Sequence, residues 1–187
     1  MSFLKTLGMT AAVAARLVAV PAYAAPVKIA LLVKSLGNGF FDAADKGAEE
    51  AAKALGNVQI IYTGPTQATA EGQIDIINSL IAQKVNAIAI SSNDPDAVVP
   101  ALKKAMARGI TVISFDSGVS KAGRELNLNA SGADLIGDTI IKLAADHLPQ
   151  GGEVAIRSAA STATNQNAWI AAAKKLLPTK YPNIKLD

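Results

Sequence analysis

The sequence contains no cysteine in 187 residues and a single histidine, His147. Without cysteine the chain cannot form disulfides, hold zinc through thiolates or carry a cysteine-linked lipid anchor. One histidine provides neither a catalytic triad nor a histidine metal site. His147 precedes Leu148-Pro149 at a predicted helix end, where a cation favours the helix dipole. We therefore predict a protein that is not an enzyme and uses no metal and no cofactor.

Aromatic residues are few, at 4%, and charge of either sign is sparse. The chain has 18 basic and 15 acidic residues, and the basic residues do not cluster as they do in nucleic-acid binders. Half of the residues are apolar, which is typical of a globular α/β protein. We expect no nucleic acid among its partners.

Phosphate-binding loops are also missing. Gly37-Asn38-Gly39 resembles the start of a dinucleotide fingerprint, but Asp42 takes the place of the third glycine. A carboxylate there would repel a pyrophosphate, and the sequence has no Walker A motif. A flavodoxin-like or nucleotide-dependent enzyme is therefore disfavoured.

The first 24 residues are predicted to be a secretory signal peptide. Lys5 lies near the start, a run of small apolar residues follows, and Ala22-Tyr23-Ala24 fits an A-x-A cleavage site. Cleavage after Ala24 would start the mature chain at Ala25. The competing reading, a membrane anchor, is disfavoured because the run is short and Arg16 interrupts it. Export without an anchor predicts a location in the periplasm.

Strand and helix patterns alternate along the rest of the chain. Continuous β-branched runs between amphipathic helices predict parallel strands covered on both faces, and right-handed crossovers make this a doubly wound α/β sheet. The predicted strands span residues 27–33, 58–63, 86–91, 110–115, 125–129 and 152–159. The predicted helices span 39–55, 69–84, 95–108, 133–148 and 165–177, and the last residues, "YPNIKLD", would begin another strand.

Ligands of such sheets bind beyond the carboxyl ends of the strands. That rule selects the loops 34–38, 63–67, 91–94 and 116–118. Lys34 follows a buried strand, and Asp116 in "SFDSG" could accept hydrogen bonds from ligand hydroxyls. A surface lysine and an ordinary turn aspartate are the alternatives, and the two side chains could also simply pair. Asp94 and Asp96 fit capping better than acid–base chemistry.

A later loop carries three consecutive amide side chains, also just after a predicted strand. Asn165, Gln166 and Asn167 follow the predicted strand 152–159 and open a helix that contains Trp169. A polar cap with Trp169 as a core anchor is the plainer reading. Three consecutive amides exceed what a cap requires, so at least one is expected to contact a ligand.

Taken together, "KIALLVKSLGNGFFDAADKGAEEAAKALG" (28–56), "SFDSG" (114–118) and "STATNQNAW" (161–169) resemble a known family. The chain is similar to the sugar-binding proteins of bacterial ABC transporters, which have the type I periplasmic binding fold. Within them it is most similar to the rhamnose-binding branch and to the neighbouring autoinducer-2-binding branch. The resemblance covers residues 27–187 and extends through several motifs in order.

The resemblance implies a set of ligand contacts. Phe40 and Phe41 would lie at the cleft mouth, and other residues would supply polar contacts from both lobes. The predicted ligand-binding residues are Lys34, Asn38, Phe40, Phe41, Ser91, Asp116, Asn165 and Gln166.

The resemblance also implies a domain division and a departure from the family. Residues 25–129 would form the N-terminal sugar-binding lobe, and residues 130–187 would begin a second lobe that remains incomplete. Family members have two complete lobes, so the chain is interpreted as C-terminally truncated. A monomer is expected, with a domain-swapped dimer as the alternative.

The implied function is the periplasmic substrate-binding component of a sugar ABC transporter, which delivers its ligand to a membrane permease. Rhamnose or a related 6-deoxyhexose is the predicted ligand. The autoinducer-2 branch carries an aspartate where this chain has Asn165. Autoinducer-2 and pentose receptors of the same fold remain alternatives, as does a non-functional truncated paralogue. A sugar-responsive transcription regulator would need a helix-turn-helix where this chain has its predicted signal.

Overall fold

A computed structural model of the chain describes residues 25–186. The predicted signal segment, residues 1–24, lies outside the described residues. Five parallel strands form a main sheet in the order β2-β1-β3-β4-β5. The strands are β1 (Val27–Leu32), β2 (Val58–Thr63), β3 (Ala87–Ile90), β4 (Thr111–Phe115) and β5 (Leu126–Leu128). The helices between them are α1 (Gly39–Leu55), α2 (Ala70–Ala82) and α3 (Val99–Met106), and a short 3-10 helix covers Lys121–Gly123. The doubly wound α/β prediction is confirmed.

Successive strand residues point to opposite sides of the main sheet, so apolar side chains pack against helices on both faces. On one face Leu32, Ile88 and Ile90 pack with Ile77 of α2 and Leu102 of α3, and all five are fully buried. Burying one such side chain stabilises the fold by about 1.5–3 kcal/mol. On the other face a smaller apolar cluster contacts α1; its buried members are Leu31, Val33, Phe41 and Ala89.

Helix α1 has the bounds that its end signals predict. Asn38 is the N-cap, and its side-chain oxygen accepts a hydrogen bond from the Phe40 amide at 3.0 Å. Gly56 ends the helix with φ of +81°, a left-handed conformation that glycine adopts without a Cβ penalty. The chain therefore leaves β1 through a short capped turn that holds residues 34–38 at the carboxyl edge of the sheet.

The prediction that Pro95 opens α3 is wrong. The Asp94 carboxylate accepts hydrogen bonds from the amides of Asp96 and Ala97, both at 2.9 Å, and this ties the segment after Pro95 into a turn. The helix begins at Val99, and Pro100 is the proline in its first turn. Asp94 therefore stabilises the turn that precedes the helix and does not cap the helix itself, whose N-cap is Val98.

Beyond β5 the chain forms a second, small sheet. It contains β6 (Gly152–Val154) and β7 (Ile184–Leu186), paired in parallel, with α4 (Ala133–His147) and α5 (Thr164–Lys180). The β6 strand is shorter than the predicted 152–159 because its pairing with β7 covers three residues. The strand expected in "YPNIKLD" is confirmed as β7. Division into two lobes at residue 129 stays a prediction.

Helices α4 and α5 pack closely at Gly137. A Cβ at that position would lie 2.8 Å from the Cβ of Ala172 and 2.8 Å from the backbone nitrogen of Ala173. Only a residue without a side chain permits this approach. The contact fixes α5 against α4, and the start of α5 lies at the candidate site. Among residues 25–186, no helix is both long and apolar enough to cross a membrane.

Candidate functional site

Asp116 lies at the centre of a polar cluster at the carboxyl edge of the main sheet. It follows β4, while Lys34 and Ser91 follow the neighbouring strands β1 and β3. The Ser91 hydroxyl donates to Oδ2 of Asp116 at 2.7 Å, and the Lys34 Nζ lies 3.9 Å from the same oxygen. Parallel strands carry their carboxyl ends to one edge, so these three residues meet as the topology predicts.

The backbone of Asp116 adopts a left-handed conformation with φ of +55°. That conformation costs most residues roughly 1–2 kcal/mol, although the short polar side chain of aspartate tolerates it better than most. This conformation turns the chain at the end of β4. The side chain of the same residue contacts Ser91 and Lys34. Strained backbone held by its surroundings is common at ligand sites.

Lys34 is a largely buried cation beside a largely buried anion. The two side chains are 15% and 13% exposed. Burial lowers the pKa of the Lys34 ammonium below its usual 10.5, and the charge of Asp116 partly opposes that shift. Lys34 supplies donors and Asp116 supplies acceptors, so the pair presents both kinds of partner for a ligand hydroxyl.

Asn165 joins this cluster from the small-sheet side. Its amide nitrogen donates to Oδ1 of Asp116 at 2.6 Å. Each carboxylate oxygen of Asp116 therefore has a hydrogen-bond donor, Ser91 on one and Asn165 on the other. A carboxylate has about four lone-pair positions, so capacity for a further donor remains.

The segment around Asn165 is held against the main sheet by further hydrogen bonds. The Thr162 hydroxyl donates to the Asn93 carbonyl at 2.6 Å, and the Thr164 hydroxyl donates to the Gly118 carbonyl at 3.2 Å. The hydroxyls of Thr164 and Ser117 also lie 3.1 Å apart. These bonds, together with the buried Ala163 at the N-cap, position the start of α5 over the strand ends.

Gln166 contacts its own loop. Its side-chain oxygen accepts hydrogen bonds from the Ser158 hydroxyl at 2.7 Å and from the Ala159 amide at 2.8 Å. The Asn167 amide donates to the Ser161 carbonyl, also within the loop. Of the three consecutive amides, Asn165 is the one whose described hydrogen bonds reach the Asp116 cluster.

The two neighbouring phenylalanines have different environments. Phe40 is 56% exposed, whereas Phe41 is 3% exposed and lies in the apolar cluster beneath α1. Their rings meet edge to face at 5.2 Å between centroids, and Phe41 meets Phe115 in the same way at 6.4 Å. The structure contradicts an open cleft position for Phe41, because consecutive helix residues point in different directions and this one packs on the sheet. Phe40 is exposed, and its position at a cleft stays a prediction.

A cavity of about 330 Å³ adjoins Asp116 and Asn165. Sequence reasoning missed most of the other polar residues that line this cavity, which include Arg124, Asn127 and Asn129. Asn127 accepts from the Ser114 hydroxyl at 2.6 Å and donates to Asn129 at 2.7 Å. The alternation in "ELNLN" could have indicated the two asparagines, because period-2 alternation sets the asparagines on one face and the leucines on the other.

His147 stands apart from this cluster. Its ring Nδ1 lies 2.8 Å from the Leu143 carbonyl in the last turn of α4. That contact matches the helix-end role predicted for it. Among the described residues no group of three or more His, Asp or Glu side chains is placed to hold a metal ion.

The fold agrees with a family comparison. The model of the periplasmic binding protein domain matches residues 29–187, and the chain belongs to that family. Its doubly wound sheet is that of the type I periplasmic binding fold, as the sequence predicts.

Two solved structures show the likeness in detail. An ABC transporter solute-binding protein from Clostridium phytofermentas with bound L-rhamnose is 38% identical, with a TM-score of 0.82 over 88% of this chain and 51% of its own. LsrB from Clostridium saccharobutylicum in complex with AI-2 is 31% identical, with a TM-score of 0.79 over 85% of this chain and 51% of its own.

A relative identified from its sequence is also a sugar-binding protein. The D-ribose/D-allose-binding protein of Pseudomonas aeruginosa is 32% identical over 86% of this chain and 55% of its own length. The chain therefore spans about half the length of the relatives that it matches.

Proposed function

We propose that this chain carries the sugar-recognising half of a periplasmic receptor, which delivers its ligand to the permease of an ABC transporter. The Asp116 cluster carries the proposal. It combines a largely buried carboxylate with a lysine, a hydroxyl and an amide at the sheet edge where doubly wound proteins bind ligands. Mixed donors and acceptors suit a polyol, whose hydroxyls both donate and accept.

We further propose that the ligand is rhamnose or a related 6-deoxyhexose. Such a sugar needs hydroxyl partners and an apolar neighbour for its methyl group. The exposed ring of Phe40 offers the apolar neighbour. It lies at the start of α1, the helix that follows the Lys34 loop. The solute-binding protein from Clostridium phytofermentas, with bound L-rhamnose, supports this ligand class.

An AI-2 receptor is the second candidate function, and LsrB supports it. Asn165 favours the first candidate. Its amide nitrogen lies 2.6 Å from an Asp116 oxygen, and a carboxylate in its place would bring two negative charges together.

Titration calorimetry with L-rhamnose, AI-2, D-ribose and L-arabinose tests the proposal. Two proteins are needed: the chain itself, and an extended chain that continues into the remaining sequence of the rhamnose-bound neighbour. We expect the extended chain to bind rhamnose most tightly and the chain alone to bind weakly, because a sugar held from one side keeps more of its water. The size of each protein in solution must be measured alongside, since a domain-swapped dimer could complete the site. No binding of any of these ligands by the extended chain would overturn the proposal.

A further inference from the structure

Gln73 of α2 is a fully buried polar residue that joins two strands at the edge of the site. Its relative exposure is 0%. The amide nitrogen donates to the carbonyls of Val33 at 3.1 Å and Ser91 at 2.8 Å, and the amide oxygen accepts from the Asn93 backbone at 2.8 Å. A buried amide without such partners would be strongly destabilising. Gln73 therefore links the ends of β1 and β3 from beneath.

Asn93 continues this connection toward Lys34. Its side-chain amide donates to the Lys34 carbonyl at 2.9 Å and to the Thr69 carbonyl at 3.2 Å. Asn93 is 8% exposed. Together, Gln73 and Asn93 bond the backbones of Ser91 and Lys34, two of the three residues whose side chains contact Asp116.

The same residue also contacts the small-sheet side. The Asn93 carbonyl accepts from the Thr162 hydroxyl at 2.6 Å. Thr162 lies three residues before Asn165, which donates to Asp116. Asn93 thus has hydrogen bonds to Gln73, to the Lys34 backbone and to the segment that brings Asn165 to the site.

We propose that Gln73 and Asn93 are positioning residues of the sugar site. They set the spacing of Lys34 and Ser91 around Asp116 through the backbone, and they connect that spacing to the Thr162–Asn165 segment. This inference rests on the proposed function for its purpose. The alternative is that Gln73 is a buried polar residue that affects stability alone.

Nuclear magnetic resonance on the chain itself distinguishes a positioning role from an effect on stability alone. Gln73→Met keeps the bulk of the side chain and removes all three hydrogen bonds. Gln83→Met is the matched control, since Gln83 is an exposed residue at the end of the same helix. Ile77→Ala, one turn from Gln73 and fully buried, controls for lost stability without touching the network.

We expect Gln73→Met to speed hydrogen exchange of the Ser91 amide at least tenfold more than Ile77→Ala does. It should also shift the ammonium signal of Lys34, with the pKa of Lys34 moving toward 10.5 as its burial loosens. Gln83→Met should leave both signals unchanged. If Gln73→Met lowers stability and leaves the Lys34 and Ser91 signals equal to those of Ile77→Ala, the positioning role is wrong.

Asn93→Ala supplies a second test should Gln73→Met fail to fold. It removes the bonds to Lys34 and Thr69 from a loop without changing a helix. The Lys34 signals should shift, and unchanged Lys34 signals would again overturn the proposal. L-rhamnose titration of the extended chain forms a separate arm. Absence of sugar binding by its unmutated form would overturn the proposed function, whereas the resonance measurements decide the positioning role by themselves.

Discussion

Asn165 donates a hydrogen bond to Asp116 across 49 residues of sequence, at 2.6 Å. The bond joins the end of β4 in the main sheet to the start of α5 beside the small sheet. A sugar hydroxyl that binds Oδ1 of Asp116 must share that oxygen with Asn165 or displace it. We therefore expect sugar binding at Asp116 to be coupled to the relative position of the two sheets.

Asp116 is expected to contribute more to sugar binding than any other residue in the cluster. Asp116→Ala in the extended chain should weaken rhamnose binding at least tenfold, because hydrogen bonds to charged groups contribute about 1.5–3 kcal/mol. Asp116→Asn keeps the shape and tolerates the left-handed backbone, so its effect isolates the charge. Asp75→Asn, at an exposed site on α2, is the control. Calorimetry that finds Asp116→Ala unaffected would remove the residue from the site.

Asn165 is expected to set the preference for rhamnose over AI-2. Asn165→Asp replaces a donor with an acceptor beside Asp116 and should narrow the ratio of the two dissociation constants. A hydroxyl facing the wrong partner costs ~1–3 kcal/mol. Asn167→Asp makes the same chemical change two residues away, where the amide contacts the Ser161 carbonyl, and should leave the ratio unchanged. Tighter binding of AI-2 than of rhamnose by the unmutated extended chain would contradict this assignment.

Truncation to alanine should affect different properties at Phe40 and Phe41. Phe41→Ala removes a buried ring and should lower the free energy of unfolding by about 3–5 kcal/mol. Phe40→Ala should cost less than about 1 kcal/mol, since the residue is already 56% exposed. In the extended chain it should nevertheless weaken rhamnose binding several-fold by removing the apolar neighbour of the methyl group. Urea denaturation and calorimetry measure the two effects, and an equal loss of stability in both variants would contradict the structural assignment.

Lys34 should make stability depend on pH on the alkaline side. Its folded pKa lies below 10.5, so the folded state releases the proton first. The cost of burying the charge is fully present below the folded pKa and disappears as pH rises through 10.5. The wild-type chain should therefore gain stability relative to Lys34→Met as pH approaches 10.5.

Urea denaturation of both proteins from pH 7 upward checks this. Tyr62, whose pKa is raised to about 12 by burial and by its hydrogen bond to Asp42, is common to both proteins and cancels in the difference. A difference that stays constant over this range would show that burial does not lower the pKa of Lys34.

Export is predicted to leave Ala25 as the first residue. The A-x-A pattern at Ala22-Tyr23-Ala24 motivates the expectation. Expression in a two-membrane bacterium, followed by osmotic shock and N-terminal sequencing of the released protein, measures it. Ala24→Asp should block cleavage, while Ala25→Ser should not. Recovery of periplasmic protein that still begins at Met1 would contradict the prediction.

The local signals predicted the main sheet well and the cavity poorly. Asn38 and Gly56 are strong helix end signals, so both bounds of α1 follow from the sequence. Pro95 misled because a proline can open a helix or follow an aspartate that stabilises a turn, and the hydrogen bonds of Asp94 decide which. Strand ends identified Lys34, Ser91 and Asp116, because parallel topology alone brings those positions together.

Contacts that depend on packing were less predictable. Nothing in "GFFD" distinguishes Phe40 from Phe41, since the orientation of α1 on the sheet decides which ring is buried. Gln73 likewise reads as an ordinary helix residue until the carbonyls of Val33 and Ser91 are seen above it. The walls formed by Arg124, Asn127 and Asn129 depend on where α5 lies relative to β5.

The left-handed backbone at Asp116 gives this position two conflicting requirements. Glycine would relax the main chain there, but it carries no carboxylate and would leave Lys34 and Asn165 without their Asp116 partner. The strain relieved, roughly 1–2 kcal/mol, is smaller than the cost of about 3–5 kcal/mol for a buried charge that loses its partner. A library screened for thermostability should therefore retain aspartate at position 116, as should one screened for ligand binding.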